Sequence, residues 1–300
     1  MTKLKALNGW SLFWLVAGPI SAGMLVAMIG ADLSSAEGVS SMIQLSVRCA
    51  VPWVFLAFAA SSMQKVFPGE FSRWLLRNRK YFGLVFAATM AWQGFFILWM
   101  VLVHTDYYVN EVYVMRDAIE GTIGYAFLLA MTVTTFQVVR KRMRAQHWRL
   151  LHLSGIYFLW GYAFIVYWWA LFYYSNPIPL DYIYYGAGLA AWTLRAMAWG
   201  KKIRQKVEKG EAKELHPAMR PAGGAIVALG LFAATFASLW SSTAQEVLYG
   251  YSLTRIPELY LPYWPFEPFL PLALVGIGIF LLAGSPGRAP GTAQTAMQSQ

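Results

Sequence analysis

The stretch "QHWRLLHLSGIYFLWGYAFIVYWW", residues 146–169, decides the class of this chain. After Arg149 it holds no formal charge, and His152 is its one remaining imidazole. An uncharged apolar run of about twenty residues is the length of the hydrocarbon core of a bilayer. The rest of the sequence agrees. Of its 300 residues, 58% are hydrophobic and only 13% charged, against about a quarter charged in soluble domains. The expected class is all-α, a polytopic bundle of about eight transmembrane helices. The runs fall near 10–31, 43–63, 81–103, 121–139, 150–174, 181–199, 221–244 and 268–284. The first follows Lys3 and Lys5 without a small-residue cleavage site, so it is expected to be retained as a span.

Charge between the runs orients them. Lys65, Arg73, Arg77, Arg79 and Lys80 follow the second run; Arg140, Lys141, Arg142 and Arg144 follow the fourth; seven basic residues from Lys201 to Arg220 follow the sixth. The alternate loops carry Asp32 and Glu37, then Asp106, Glu111, Asp117 and Glu120, then Asp181. Lysine and arginine accumulate in short cytoplasmic loops, so both termini are expected in the cytoplasm. This placement also explains the net charge of +10: it orients helices in the lipid bilayer, and no nucleic-acid partner is expected.

Little conventional chemistry is written into the chain. Its single cysteine, Cys49, excludes an internal disulfide or an iron–sulfur centre from this chain alone. There is no Walker A sequence, dinucleotide fingerprint, HExxH or GxSxG. Among the four histidines, His147 and His216 lie in basic loops and His104 closes the third run beside Asp106. A lone histidine without a partner at ligand spacing is weak evidence for a metal, and no metal site is assigned. His152 differs, lying about one turn inside the fifth run, where ionisable groups are costly and usually face the bundle interior. A ligand and an interfacial hydrogen-bonding residue are both open readings of it. Gln93, near the middle of the third run, needs a partner on a neighbouring helix. Arg48 and Arg195 lie close enough to run ends to snorkel. Residues 246–267, rich in tyrosine, tryptophan and proline, suit an interfacial aromatic belt, and 285–300 has the composition of a disordered tail.

Two stretches carry a family resemblance. "RWLLRNRKYFGLVFAATMAWQGFFILWM" (73–100) sets a basic segment before Gly83 at the head of a helix; "TVTTFQVVRKRMRAQHWRLLHLSGIYFLWGYAFIVYWW" (132–169) sets Trp148, Leu151, His152 and Tyr157 after a second one. This pattern resembles the ferric reductase-like transmembrane domain family, which includes the haem-binding membrane subunit of the bacterial methionine sulfoxide reductase system. The resemblance implies a core over 41–200 in which histidines of the third and fifth helices ligate haem b and electrons cross the bilayer. It places His152 at the inner ligand position of the fifth helix. The third-helix ligand position falls on Gln93, and the outer position of the fifth helix falls on Ile165 to Tyr167.

The organisation expected around that core is an N-terminal span and outer loop over 1–40, a basic cytoplasmic loop over 201–220 and two added spans over 221–284. Three functions follow. The first is transmembrane electron transfer as the membrane component of an oxidoreductase, which needs a redox partner chain because no flavin or nicotinamide domain is present. The alternative is a haem-free binding or assembly subunit of a membrane complex. The third is a small-solute transporter. All belong to a multi-pass protein of the bacterial inner membrane.

Overall fold

The computed structural model describes residues 7–172, 176–252 and 267–285. The chain is a helical membrane protein, and no β-strand occurs among the described residues. In order, the helices are α1 (Trp10–Gly30), α2 (Ala36–Val66), α3 (Glu70–Val103), α4 (Met115–Thr135), α5 (Ala145–Phe172), α6 (Pro179–Glu208), α7 (Met219–Thr235), α8 (Ser241–Ser252) and α9 (Leu270–Ala283). Only helices satisfy their own backbone inside hydrocarbon, which is why every long apolar run takes this form.

Five helices, α1 to α5, are long and apolar enough to cross a membrane. The expected sixth span lies on α6, whose last two turns carry Lys201, Lys202, Arg204 and Lys206. The seventh and eighth fall on α7 and α9, of 17 and 14 residues, shorter than the runs that suggested them. The expected aromatic belt begins on α8, and its residues 253–266 lie outside the described ones, as does the tail from 286.

Two segments read as loops are helical. α2 continues to Val66 and α3 begins at Glu70, so Arg73, Arg77, Arg79 and Lys80 ride on the first turns of α3. Likewise, the segment 201–220 starts as the end of α6. A helix needs no hydrocarbon to satisfy its backbone, and a charged extension in water costs nothing to solvate. Local caps mark the actual boundaries. The Gly69 amide donates to Ser72 Oγ at 2.9 Å to start α3, and the Gly38 amide donates to Ser35 Oγ at 3.1 Å to start α2. In the loop before α2, hydrogen bonds from the Ser34 side chain, then from its backbone, hold the Asp32 carboxyl below its ordinary range.

The described residues form two compact units. The first comprises residues up to 60 and 69–166. Here α1 packs on α3, and Met24, Val39, Met42, Phe96 and Met100 form a buried cluster with Ala36. The start of α1 is tied to α3 by polar contacts: the Gly9 amide donates to Asn78 Oδ1 at 3.0 Å, Asn78 Nδ2 donates to Asn8 Oδ1 at 2.8 Å, and Trp74 Nε1 donates to the Leu7 carbonyl at 2.8 Å. Gly9 enters this junction with φ at 67°, a left-handed conformation glycine adopts without strain.

Among the described residues, the second unit comprises 61–68, 167–172, 176–252 and 267–285. Its α7 and α9 pack backbone to backbone. A methyl group on Gly278 would lie 2.6 Å from the Gly223 carbonyl oxygen, and one on Gly230 would lie 2.8 Å from the Pro271 carbonyl. α7 ends at Thr235 rather than running to 244 because donors capture its last carbonyls: Tyr185 Oη donates to Ala234 at 2.8 Å and Trp240 Nε1 to Ala233 at 2.9 Å. A 3₁₀ turn, Ala237–Leu239, then re-aims the chain into α8. Replacing Gly278 by leucine is expected to force α7 and α9 apart and to cost about 2 kcal/mol or more. A lowered Tm in detergent, with Gly186→Leu as control where added side-chain atoms meet open space, checks this.

Candidate functional site

Within the first unit, the basic ends of α3, α4 and α5 enclose a cavity of about 250 Å³. Its position follows from the chain: Arg79, Lys80 and Gly83 stand on the first turns of α3, Thr132 and Thr135 on the last turn of α4, and Trp148 and His152 on the first turns of α5. Val54 and Ala57 of α2, with Leu84, Phe86, Leu128, Met131, Ile156 and Leu159, supply apolar walls. Arg140, from the short helical turn after α4, completes the rim. Gly83 borders open space, since a methyl group placed there would meet nothing within 4 Å.

His152 is half-buried on this wall and is tied into a clasp. Its Nε2 lies 3.0 Å from Thr134 Oγ1. The threonine hydroxyl also lies 2.6 Å from the Ala130 carbonyl oxygen and 3.3 Å from that of Met131. The hydroxyl and the imidazole share one hydrogen bond, in which the donor depends on the tautomer of His152. One turn earlier, Trp148 Nε1 donates to the Thr134 carbonyl at 3.1 Å. The two rings lie 4.3 Å apart, and the Arg140 guanidinium lies 4.5 Å from the Trp148 ring centroid. α5 thus grips the end of α4 with two side chains on one residue. Neither Thr134 nor Arg140 stood out as a partner of His152 in the sequence. The small polar residues closing α4 were the available signal, but the pairing spans 18 positions and depends on how two helices cross.

The other expected ligand positions do not converge on His152. Gln93 lies further along α3, outside the cavity lining, where Tyr125 of α4 donates to its Oε1 at 2.8 Å and lies 3.1 Å from the Met90 carbonyl. Tyr125 packs over Gly94, where a methyl group would meet the tyrosine ring at 3.4 Å. The amide thus has the neighbouring-helix partner that its depth demands. Ile165 is buried and Val166 exposed. Between His152 and Ile165, the interior is filled by stacked rings, Phe58 on Trp160 at 5.0 Å and Trp160 on Phe164 at 5.4 Å. His104 is a junction residue; its Nε2 donates to the Leu33 carbonyl at 3.3 Å. His147 and His216 are exposed.

These residues do not fit a bis-imidazole haem. The cavity lining offers one imidazole, and its Nε2 is engaged with the Thr134 hydroxyl. No group of three or more histidine, cysteine or acidic side chains suited to a metal ion occurs among the described residues. At about 250 Å³ the space is also below the roughly 300–1,000 Å³ of sites that bury a drug-sized molecule, and a macrocycle is larger still. As a clasp residue, His152 should be modestly stabilising. His152→Ala leaves Thr134 its bond to Ala130, so the expected loss is about 1 kcal/mol, read as a small drop in Tm with the fold retained.

No protein-family model matches this chain, and no solved structure matches it. Among curated proteins it is similar to the protein-methionine-sulfoxide reductase heme-binding subunit MsrQ of Klebsiella pneumoniae subsp. pneumoniae, with 30% identity over 141 residues. The alignment covers 43% of this chain and 64% of that protein, so the chain spans just under two thirds of its relative's length. The relationship to this haem-binding membrane subunit is a distant one.

Proposed function

We propose that this chain is a membrane-embedded binding or assembly subunit of a redox complex, built on the scaffold it shares with MsrQ and working without a bis-imidazole haem. The single imidazole at the cavity carries this reading. Of the three positions at which the family resemblance expects ligands, one is a glutamine bonded to Tyr125 and one falls on the Ile165 segment, which has no nitrogen donor. Axial ligation by two imidazoles therefore lacks a second partner at these positions and among the residues lining the cavity. The clasp of His152 and Trp148 on Thr134 gives the histidine a structural task that needs no iron.

A second reading has its own support. Arg79, Lys80 and Arg140 around the cavity would suit the two carboxylates of a haem, and a partner chain would then supply the other axial ligand for transmembrane electron transfer. One optical spectrum separates the two. Purified from cells with ample haem, the protein is expected to show no Soret band. A Soret band that disappears in His152→Ala would overturn the haem-free reading in favour of electron transfer. Isolation in mild detergent should also yield a co-purifying partner chain, whereas an isolated monomer with reductase activity would refute the subunit role.

The proposal includes the topology: eight spans carried by α1 to α7 and α9, both termini in the cytoplasm of a bacterial cell, and the domain limits 1–40, 41–200, 201–220, 221–284 and 285–300. Its support is the alternation of basic and acidic connections, which sets the orientation of short-looped spans. Alkaline phosphatase, active only outside the cytoplasm, should be inactive when fused after residue 300 and active when fused after Glu111. The reverse pattern would invert the topology.

A further inference from the structure

The cavity is amphipathic in a graded way. Its rim cations Lys80 and Arg140 are exposed, Arg79, Trp148 and His152 are half-buried, and Leu84, Phe86 and Leu159 are buried at its base. Three cations line it and no carboxylate does. Two of the cations are held by aromatic rings: Arg140 stacks over Trp148 at 4.5 Å, and Lys80 lies 5.7 Å from the ring centroids of both Tyr81 and Phe136. A ring face positions a cation without neutralising it, and it leaves the in-plane N–H donors of a guanidinium directed sideways.

Such a site selects its ligand by two requirements. The rim asks for an anion that accepts several charge-assisted hydrogen bonds, which a phosphate oxygen set does and which matches the fork of arginine. The apolar walls ask for hydrocarbon attached to that anion, since a free inorganic ion would leave them wet or empty. The volume admits a head and the first part of a chain, not a folded peptide. Basic pockets between transmembrane helices at the cytoplasmic face are places where acidic headgroups dock.

We infer that this cavity binds the phosphate head and proximal chain of an acidic phospholipid, held by Arg79, Lys80 and Arg140 with its chain along Gly83, Leu84 and Ile156. This deepens the haem-free reading and rests on it, because a haem would claim the same cations. The lipid would fill the space between α3 and α5 and secure their basic ends together. Soluble phosphate compounds share the head chemistry, and the experiment separates them by the chain.

The test uses the full-length protein in neutral detergent, titrated with phosphatidylglycerol, phosphatidylcholine or inorganic phosphate, with native mass spectrometry and Tm as readouts. Phosphatidylglycerol is expected to be retained at one per chain and to raise Tm, while phosphatidylcholine and inorganic phosphate do neither. The double variant Arg79→Gln with Arg140→Gln should weaken retention by roughly 25-fold, about fivefold for each cation removed. Arg140→Lys should keep most of it. Arg77→Gln with Lys141→Gln removes the same charge from residues outside the lining and should change nothing. Gly83→Phe, which fills the cavity from a position bordered by open space, should abolish retention with the cations intact.

Equal retention of phosphatidylcholine, equal loss in the Arg77 and Lys141 control, or undiminished binding in Gly83→Phe would overturn the assignment. Stabilisation by inorganic phosphate alone would shift it to a soluble anion. A Soret band in the same preparations would instead sink the haem-free reading, so the two failures are distinguishable.

Discussion

Hydrocarbon offers no hydrogen-bonding solvent, so a polar group carried into it is costly unless the protein supplies a partner. That constraint organises this structure more than any single apolar contact. It makes the apolar runs helical, it pairs Gln93 with Tyr125, and it brings His152 and Trp148 to one residue, Thr134, at the end of α4. The same rule explains where regular structure stops. α7 can end at Thr235, short of the apolar run that contains it, because Tyr185 and Trp240 take the carbonyls its termination would orphan.

Much of the fold was legible because it depends on composition over twenty-residue windows. The apolar runs of the first five spans became α1 to α5, each long and apolar enough to cross a membrane. What could not be read were helix extensions beyond hydrocarbon, such as the start of α3 at Glu70. Water tolerates helix and coil alike, and local caps such as Ser72 decide. The two shorter helices α7 and α9 were overextended for the opposite reason. Their pairing rests on close approach at Gly223, Gly230 and Gly278, which apolarity alone does not report.

The site divides in the same way. His152 was conspicuous because an imidazole in an uncharged run is rare, and Gln93 because an amide at that depth needs a partner. Neither signal says which partner. Thr134 lies 18 positions from His152, and Tyr125 lies 32 from Gln93; both pairings depend on helix crossings that no local pattern encodes. The cavity was the least legible feature. Its rim combines residues from α3, the turn after α4 and α5, and the basic ones had already been given a sufficient role in orienting the spans.

A local hydrogen-bond partner changes how an intramembrane histidine is read. An ionisable residue in a span is by default a functional candidate, since burying it without purpose is costly. Here the cost is met locally. His152 Nε2 shares a hydrogen bond with the Thr134 hydroxyl at the end of α4. Lys80 and Arg140 of the rim are held differently: ring faces fix them in place without supplying a compensating charge. The residue that drew attention is therefore the better explained as structure. The functional weight moves to the cations beside it, which form a positive rim over an apolar floor.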